Sequence, residues 1–600
     1  MIVVDPRRPG AHEQDGRTAF SVWAPLAQSV ELELDGARTP LEPFDDGWYG
    51  AVHEAGPGAR YGFALDAGDL LPDPASGWQP DGVHGLSAVA PERHRWSDGA
   101  WRGMPLDQLV FYELHVGTFT EEGTFDAVIP RLPELGALGV TVVELMPVAE
   151  FPGGRNWGYD GVFPYAAQST YGGPEGLMRL VDAAHAAGIA VCLDVVYNHL
   201  GPEGNVLGRF GPYFTDRYRT PWGQAVNVDG PDSDAVRGYL VGNALRWFET
   251  FHIDALRLDA VHAIADQSAV PFLAELADAT AELEEQLGRP LHLIAESDLN
   301  DPRMITPRAA GGLGMDAQWS DDFHHALHRL LTGEQRGYYA DFGDPGALAK
   351  ALRDGFVIDG ERSGYRRRRH GASARGLPGK RFVVYSQNHD QVGNRMAGDR
   401  LIETAGEDAA RVAAVAVLTS PFVPLLFMGE EHAERRPFPY FVSHTDPALV
   451  EAVRTGRAEE FSGFDWGGEP PDPQDEQTFE SARLDWGSRD RPEGAAMLGL
   501  YRTLLCLRRT RPALGELAAE RVETTVLPGT TWVRRWADAD DVLICLHTDE
   551  AAAELPLPRA GDWSVAVDTS GDRSAGDAVS GSIHVSRRCA LVLIAEGDRA

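Results

Sequence analysis

Hydrophobic and polar residues follow three successive patterns along the chain. Residues 17–66 form short alternating segments separated by Gly, Pro and Asp, which is typical of a small antiparallel β-sandwich. From about residue 110, short apolar strands alternate with longer helical stretches. After the amphipathic helical segment 498–510 the alternating pattern returns. The sequence therefore predicts a β-sandwich, a large α/β unit and a second β-sandwich.

The middle region predicts a parallel sheet, because its strands alternate with helices such as 173–188 and 234–251. Eight such repeats closing on themselves make a (β/α)8 TIM barrel. One strand, near Met315 to Gln318, is weak in sequence and is inferred mainly from this count. The other seven segments are VFYELHV (110–116), GVTVVELMP (139–147), GIAVCLDVVYNH (188–199), HIDALRLDA (252–260), LHLIAESD (291–298), RFVVYSQNHD (381–390) and PFVPLLFMGEE (421–431).

A chain of 600 residues exceeds what one hydrophobic core usually supports. We expect an N-terminal β-sandwich over 1–105, a catalytic barrel over 106–513 and a C-terminal β-sandwich over 514–600. The span 200–233, rich in Gly, Pro and aromatic residues, is too long for a simple connector. It is predicted to be a lobe inserted after the third barrel strand.

Composition excludes several classes of function. A net charge of −36 repels polyphosphates and anionic membranes, which argues against nucleic-acid and membrane binding and favours a neutral or cationic partner. The chain shows no secretory signal and no apolar run long enough to cross a bilayer, so a soluble cytoplasmic protein is expected. Its four cysteines have no zinc-site spacing and predict neither a disulfide nor a metal site.

Charged residues collect at the carboxyl ends of several predicted strands. Arg257 and Asp259 lie two positions apart and therefore share one face of their strand. Asp194, Glu296 and Asp390 end three other strands. Active sites of (β/α)8 barrels are built at this face. Isolated buried ion pairs contribute little to stability. Charges that come from several strands to one mouth therefore favour a functional site over a set of structural ion pairs.

Two carboxyl groups on neighbouring strands suit the cleavage of a glycosidic bond, which needs a carboxylate nucleophile and a carboxylic acid. Asp259 is predicted to be the nucleophile, because Arg257 on the same face would keep it ionised. Glu296 follows an apolar run, so desolvation would keep it protonated as the acid/base. Asp390 is predicted to bind sugar hydroxyls and favour the distorted ring.

Aromatic and polar residues around these carboxyl groups predict a sugar-binding mouth. Tyr159 is chosen to stack on the reacting ring, since flat rings pack well on pyranose faces. The stretch QWSDDFHHALH (318–328) is predicted to touch the leaving group, although a helix capped by Ser320 explains its acids equally well. The full set of predicted substrate-binding residues is Tyr159, Asp160, His199, Arg257, His262, Trp319, Asp322, Phe323, His325, His389, Gln391, Asn394 and Arg395.

Four blocks of the sequence resemble, in order, those of the α-amylase family of glycoside hydrolases. They are DVVYNH (194–199), ALRLDAVH (255–262), IAESD (294–298) and QNHDQVGNR (387–395). The resemblance implies retention at the anomeric carbon, and it places the family's nucleophile, acid/base and third carboxylate on Asp259, Glu296 and Asp390. It also implies an amino-terminal sandwich like a carbohydrate-binding module. Many relatives bind calcium beside the third-strand insert, but no acidic cluster supports that here, so no metal or other cofactor is predicted.

Within this family, further segments most resemble members that cleave the α-1,4 bond next to a terminal trehalose unit. These segments include NWGYDGVFPYA (156–166) and FMGEEHAERRPFPYFVSH (427–444). The substrate implied is a malto-oligosaccharide ending in trehalose, and a second enzyme that makes trehalosyl ends is implied as a metabolic partner. Two other functions stay open, an α-1,4-glucan branching enzyme and an inactive glycan-binding protein.

Overall fold

The computed structural model describes residues 3–5, 7–460 and 470–595. The outermost residues of the predicted first and last units, 1, 2 and 596–600, lie outside the described residues, as do residue 6 and the stretch 461–469 within the predicted barrel unit. No helix in the described part is both long and apolar enough to cross a membrane.

The middle of the chain forms the predicted barrel, in which eight parallel strands close on themselves in chain order. The other seven predicted segments each contain one of them, and the weak sixth strand, predicted near Met315 to Gln318, is present at Ala317–Trp319. The strands are Phe111–Leu114, Val142–Leu145, Ala190–Val195, Ala255–Leu258, His292–Ala295, Ala317–Trp319, Phe382–Val384 and Val423–Phe427.

Amphipathic helices pack their apolar faces around the barrel. The predicted helices 173–188 and 234–251 are present as Gly173–Ala186 and Ser233–Thr250. The helix predicted at 498–510 is longer than expected, because Pro492 can occupy the first helical turn without losing a hydrogen bond. The longer helices are Leu132–Leu138, Gly173–Ala186, Ser233–Thr250, Phe272–Leu287, Asp321–Thr332, Ala347–Asp354, Glu407–Leu418, Pro447–Glu460 and Pro492–Thr510.

Antiparallel sheets precede and follow the barrel. The first pair of sheets contains Gly10–Gln14, Arg17–Trp23, Glu42–Pro43 and Trp48–Glu54, facing Val30–Leu34, Ala37–Pro40, Arg60–Leu65, Leu70–Leu71 and Ser87–Ala88. The carboxyl-terminal pair contains Val522–Leu527, Thr530–Ala537, Asp540–His547, Trp563–Asp568, Ala578–Val579 and Cys589–Ala595, facing Ala553–Pro556 and Ser582–Val585. Side chains from both of the last two sheets share one apolar core.

The span 200–233 contains one helical turn, Leu207–Phe210, and a two-stranded hairpin, Phe214–Thr220 with Gly223–Val226. All four cysteines carry free thiols, and Cys192, Cys545 and Cys589 are buried.

The barrel interior changes from apolar to charged along its axis. Because side chains alternate in a strand, Ala255 and Arg257 point to the same side, and Ala255 lies in the apolar cluster that fills the amino-terminal half. One pleat further on, the buried groups are ionisable: Glu113, Glu144, Asp194 and Arg257. Asp194 and Arg257 stand opposite each other in the ladder between the third and fourth strands. This charged layer forms the floor of the candidate site.

Candidate active site

Arg257 is the centre of the site. Its guanidinium is fully buried and reaches three carboxyl groups from three consecutive strands. One terminal nitrogen bonds Asp194 at 2.9 Å and Asp259 at 2.8 Å. The other lies 2.9 Å from Glu296. The Trp319 ring supports the guanidinium from the opposite side, with its centre 4.3 Å from the central carbon. Arg257 therefore fixes two of the predicted catalytic groups relative to each other.

Asp259 is held as a carboxylate. One of its oxygens accepts from Arg257 at 2.8 Å, and the other accepts from the Asn198 amide at 2.6 Å. Burial alone would raise the pKa of Asp259, but the charge of Arg257, with His199 and the Asn198 hydrogen bond, holds this pKa below its ordinary value. The group is thus ionised at neutral pH and keeps lone pairs for a reacting carbon.

Glu296 has the opposite protonation preference. One of its oxygens accepts from the backbone nitrogen of Ala260 at 2.7 Å, and 19% of the side chain stays exposed. Burial raises its pKa well above the ordinary value, and Asp259 and Asp390 add to the rise, against the opposing charge of Arg257. Two carboxyl groups that share one guanidinium therefore have pKa values shifted in opposite directions, which is the pattern of an acid and a nucleophile.

Asp390 enters the site from the seventh strand on the first turn of a short helix, His389–Gly393. The Asn388 side chain caps this helix by accepting from a backbone nitrogen. The carboxylate lies 3.5 Å from Nε2 of His389 and accepts from the Asn394 amide at 3.0 Å. With 34% of its side chain exposed, Asp390 keeps free oxygen surface at the mouth. Its charge is felt by Glu296, so the two groups share the same cleft.

Tyr159 also lies in the predicted place, on the loop after the second strand. Its hydroxyl donates to Asp194 at 2.7 Å and contacts Nε2 of His389 at 2.6 Å, and the Tyr159 and His389 rings stack with centres 5.2 Å apart. Asp160 accepts from the Asn156 amide at 2.8 Å. The half-buried Tyr159 ring is therefore held rigidly beside the three carboxyl groups.

His199 joins this group and leads to an aromatic residue that sequence reasoning missed. Its Nε2 lies 2.9 Å from the backbone oxygen of Tyr159. Trp222, at the turn between Phe214–Thr220 and Gly223–Val226, stacks flat on the His199 ring with centres 4.4 Å apart and 49% of its surface exposed. A tryptophan in an insert gives no local signal of its partner, so only the folded hairpin reveals it.

Two residues predicted to touch the leaving group are reassigned, because their side chains are buried inside the protein. Trp319 is 2% exposed and lies in the barrel interior beneath Arg257. Phe323 is 0% exposed and packs edge-on against Phe422. Strand alternation explains the first case, since Trp319 points inward like Ala317 of the same cluster.

Asp322 and His325 are also reassigned as buried structural groups. The carboxylate of Asp322 accepts from the backbone nitrogens of Val357 and Ile358 at 2.7 and 2.8 Å, which turns it away from the mouth. His325 is covered by the ring of Tyr338 at 4.5 Å. Both side chains face the segment that follows their helix. This position agrees with the alternative interpretation of the sequence, in which the acids at 321 and 322 mark the start of a helix.

The rim of the sixth and seventh strands instead presents Asp321, which sequence reasoning missed by one position. Its carboxylate accepts from the Tyr385 hydroxyl at 2.7 Å and from the Gln391 amide at 3.1 Å. Burial raises the pKa of Asp321, and the charge of Asp390 contributes. The predicted residue Gln391 is therefore part of this rim. Arg395 is not free to meet substrate, because its guanidinium is engaged with Glu334 at 2.8 Å.

His262 lies on the rim beside the fifth strand. Its Nε2 is 3.9 Å from Asp298, which also pairs with Arg366 at 3.1 Å. Arg366, the first of four consecutive arginines at 366–369, thus reaches the mouth.

Metal-binding groups are not assembled in the described part of the chain, where no cluster of three or more His, Cys, Asp or Glu residues could hold an ion. The Asn198 side chain, at a position that some relatives use for calcium, donates to both the backbone and the carboxylate oxygens of Asp259.

A TIM barrel with an arginine-linked carboxylate pair and a third acid at its mouth is the architecture of α-amylase-type glycoside hydrolases, and the α-amylase catalytic-domain model matches residues 89–216. The chain is 46% identical over 543 residues to the malto-oligosyltrehalose trehalohydrolase of Rhizobium sp. (strain M-11), covering 88% of this chain and 91% of the relative. It therefore belongs to the malto-oligosyltrehalose trehalohydrolase family of glycoside hydrolases.

Two further comparisons agree with this assignment. The malto-oligosyltrehalose trehalohydrolase of Arthrobacter ramosus is 50% identical over 503 residues, covering 82% of this chain and 87% of the relative. A crystal structure from Salmonella typhimurium described as an α-amylase superposes with a TM-score of 0.90 at 38% identity, covering 98% of this chain and 99% of the other.

Proposed function

We propose that this chain hydrolyses the α-1,4-glucosidic bond next to the terminal trehalose of malto-oligosyltrehalose and releases trehalose and a malto-oligosaccharide. The observation that carries the chemistry is the bridge by Arg257 between Asp259 and Glu296, two carboxyl groups with opposite pKa shifts. The names of the relatives support the trehalosyl substrate.

In the first step, the ionised Asp259 attacks the anomeric carbon of the glucose next to trehalose. The bond to the trehalose O4 breaks while Glu296 gives that oxygen its proton, and a covalent glycosyl-enzyme forms. Arg257 keeps Asp259 ionised and oriented for this attack. Asp390 and His389 bind hydroxyl groups of the same glucose and favour its distorted transition state.

In the second step, water attacks the same carbon. Glu296, now a carboxylate, removes a proton from the water, and the bond to Asp259 breaks. Two displacements at one carbon return it to its original configuration. The product is a malto-oligosaccharide with a new α-anomeric reducing end, and the enzyme regains its starting protonation.

The product pattern tests this function. Maltotriosyltrehalose is expected to give trehalose and maltotriose, with the α-anomer of maltotriose appearing first in proton NMR. Amylose serves as the second substrate, because a branching enzyme would introduce α-1,6 linkages into it. An inactive glycan-binding protein would release no sugar from either. Branched glucan without trehalose, or first-formed β-anomer, would contradict the proposal.

Trp222 is proposed to form a stacking surface for a sugar unit beyond the reacting glucose, because its ring is exposed and fixed flat on His199. Trp222→Ala is expected to raise KM for maltotriosyltrehalose roughly fivefold, which corresponds to about 1 kcal/mol of aromatic contact, and to change kcat little. Steady-state kinetics measure both values. Trp222→Phe, which keeps a smaller ring, is the matched control. Its KM should lie between those of the unaltered enzyme and Trp222→Ala. A KM for Trp222→Ala equal to that of the unaltered enzyme would remove this role.

The leaving-group side is proposed to use the rim formed by Asp321 and Gln391 together with His262, Asp298 and Arg366. These polar groups lie at the rim described above, and trehalose offers only hydroxyl and ether oxygens to bind. An upstream reaction that creates an α-1,1-linked end must supply such a substrate.

A further inference from the structure

Glu113, on the first barrel strand, has no part in the mechanism above, yet it is bound to a residue of the site by both of its oxygens. One oxygen lies 2.5 Å from Nδ1 of His389, and the other accepts from the backbone nitrogen of the same residue at 2.9 Å. The side chains of both residues are 1% exposed. Such a double contact fixes both the ring and the backbone where the seventh strand turns into its helix.

Glu113 begins a continuous chain of hydrogen bonds beneath the site. It accepts from Nδ1 of His389, whose Nε2 meets the Tyr159 hydroxyl at 2.6 Å. Tyr159 in turn donates to Asp194 at 2.7 Å, and Asp194 is paired with Arg257. When the His389 ring carries protons on both nitrogens, it donates to Glu113 and to the Tyr159 hydroxyl, and that hydroxyl donates to Asp194. The Tyr159 ring and Nε2 of His389 then stand in one arrangement beside Asp390.

We propose that Glu113 is a positioning residue for the reaction, acting as the buried counter-ion that keeps His389 doubly protonated and aims its Nε2 at Tyr159, Asp390 and the reacting sugar. This inference rests on the catalytic roles given under the proposed function. Glu113 does not touch substrate and acts only through His389 and Tyr159.

The charges around His389 come from several elements. Asp390, on the same helix, and Glu113 raise its pKa to about 9, against the lowering effects of burial and of Arg257 on the fourth strand. Glu144 on the second strand and His115 just past the first also interact with it. Asp194 reaches it through Tyr159. Removing the charge of Glu113 therefore lowers the pKa of His389, and the protonated form is lost at a lower pH.

Glu144 offers a matched control. It stands opposite Glu113 in the ladder between the first two strands and is equally buried. Neither of its carboxyl oxygens has a hydrogen-bond partner among the described residues. Burial, with the charges of Glu113 and Asp194, raises the pKa of Glu144 well above its ordinary value and favours its neutral form. Glu144→Gln therefore makes the same chemical change at the same depth of the barrel without removing a hydrogen bond to His389.

The test compares Glu113→Gln with Glu144→Gln, using α-maltosyl fluoride as substrate because fluoride leaves without a proton from Glu296. For Glu113→Gln, kcat is expected to fall about 10- to 100-fold with a smaller change in KM. The pH at which activity declines on the alkaline side is expected to move down by at least about one unit. Glu144→Gln should keep the unaltered profile. A normal profile for Glu113→Gln, or equal changes in both variants, would overturn the proposal.

A spectroscopic measurement decides the case even if Glu113→Gln fails to fold. The unaltered enzyme is labelled with 15N-histidine, and the His389 signal is assigned by its loss in His389→Gln. This signal is expected to show both ring nitrogens protonated at neutral pH. A neutral ring would overturn the proposal.

Glu113→Asp keeps the negative charge on a shorter side chain. Its activity should decline at the same alkaline pH as that of the unaltered enzyme, with a lower kcat. A decline at the lower pH expected for Glu113→Gln would count against the proposal. An enzyme that splits maltosyl fluoride but releases no trehalose would contradict only the proposed substrate.

Discussion

Asp259→Asn is expected to lower kcat for maltotriosyltrehalose by a factor on the order of 10⁴ or more, as the loss of an enzyme's nucleophile does. The amide is nearly the same size as the carboxylate, so it keeps one oxygen to accept from Arg257 or Asn198. It cannot form the covalent bond to the anomeric carbon. The substitution therefore removes the proposed nucleophile and leaves most of the pocket intact.

Substrate binding should survive this change. In the proposed reaction the glucose is also held by Asp390, His389 and Tyr159. The dissociation constant of maltotriosyltrehalose is therefore expected to change less than tenfold, measured by isothermal titration calorimetry. Asp298→Asn is the matched control, since it makes the same chemical change at the same rim without a bond to Arg257. It should lose far less activity than Asp259→Asn. Similar losses in both variants would mean that the rim is merely sensitive to charge, and the nucleophile would have to be sought elsewhere.

The sequence predicts the barrel and its charged floor well, because both depend on local alternation. A strand repeats every two residues, so Ala255, Arg257 and Asp259 share a face in any parallel sheet that buries this segment. The carboxyl ends of parallel strands meet at one mouth, which brings Glu296 and Asp390 to the same place. The observed contacts of Arg257 with Asp259 and Glu296 follow from these two rules and from strand order.

After the sixth strand the structure buries the side chains that were predicted to touch the leaving group, for a physical reason that the same rules explain. The helix Asp321–Thr332 begins immediately after the strand, and one residue of helix rotation separates the rim from the interior. Asp321 faces Gln391, whereas Asp322 turns inward to the backbone nitrogens at 357 and 358. Sequence alone did not fix that rotation, since two adjacent acids satisfy a helix start equally well.

Other parts of the site depend on contacts between distant segments. The stacking of Trp222 on His199 requires the hairpin of the inserted span to fold back over the mouth. The bonds from Glu113 to His389 join the first strand to the helix after the seventh strand, and the two residues are 276 positions apart. No local pattern specifies such pairs, and they become visible only when the barrel is closed.

Glu296→Gln is expected to lower kcat for maltotriosyltrehalose by about 10²- to 10⁴-fold, because the trehalose oxygen then leaves without a proton. The raised pKa of Glu296 gives the sign of the pH effect in the unaltered enzyme. The protonated form supplies the acid, so this contribution is present below the pKa of Glu296 and is lost as the pH rises through it. An ordinary glutamate would lose the proton at a lower pH.

The leaving group separates the two roles of Glu296. With α-maltosyl fluoride, the first step of Glu296→Gln needs no acid and should approach the rate of the unaltered enzyme. The second step lacks a base to activate water, so the covalent glycosyl-enzyme should accumulate. Rapid quenching and peptide mass spectrometry are expected to place one maltosyl group on the peptide containing Asp259. A first step slowed as strongly with fluoride as with maltotriosyltrehalose would count against the acid role, and a maltosyl group on any other peptide would displace Asp259 as the nucleophile.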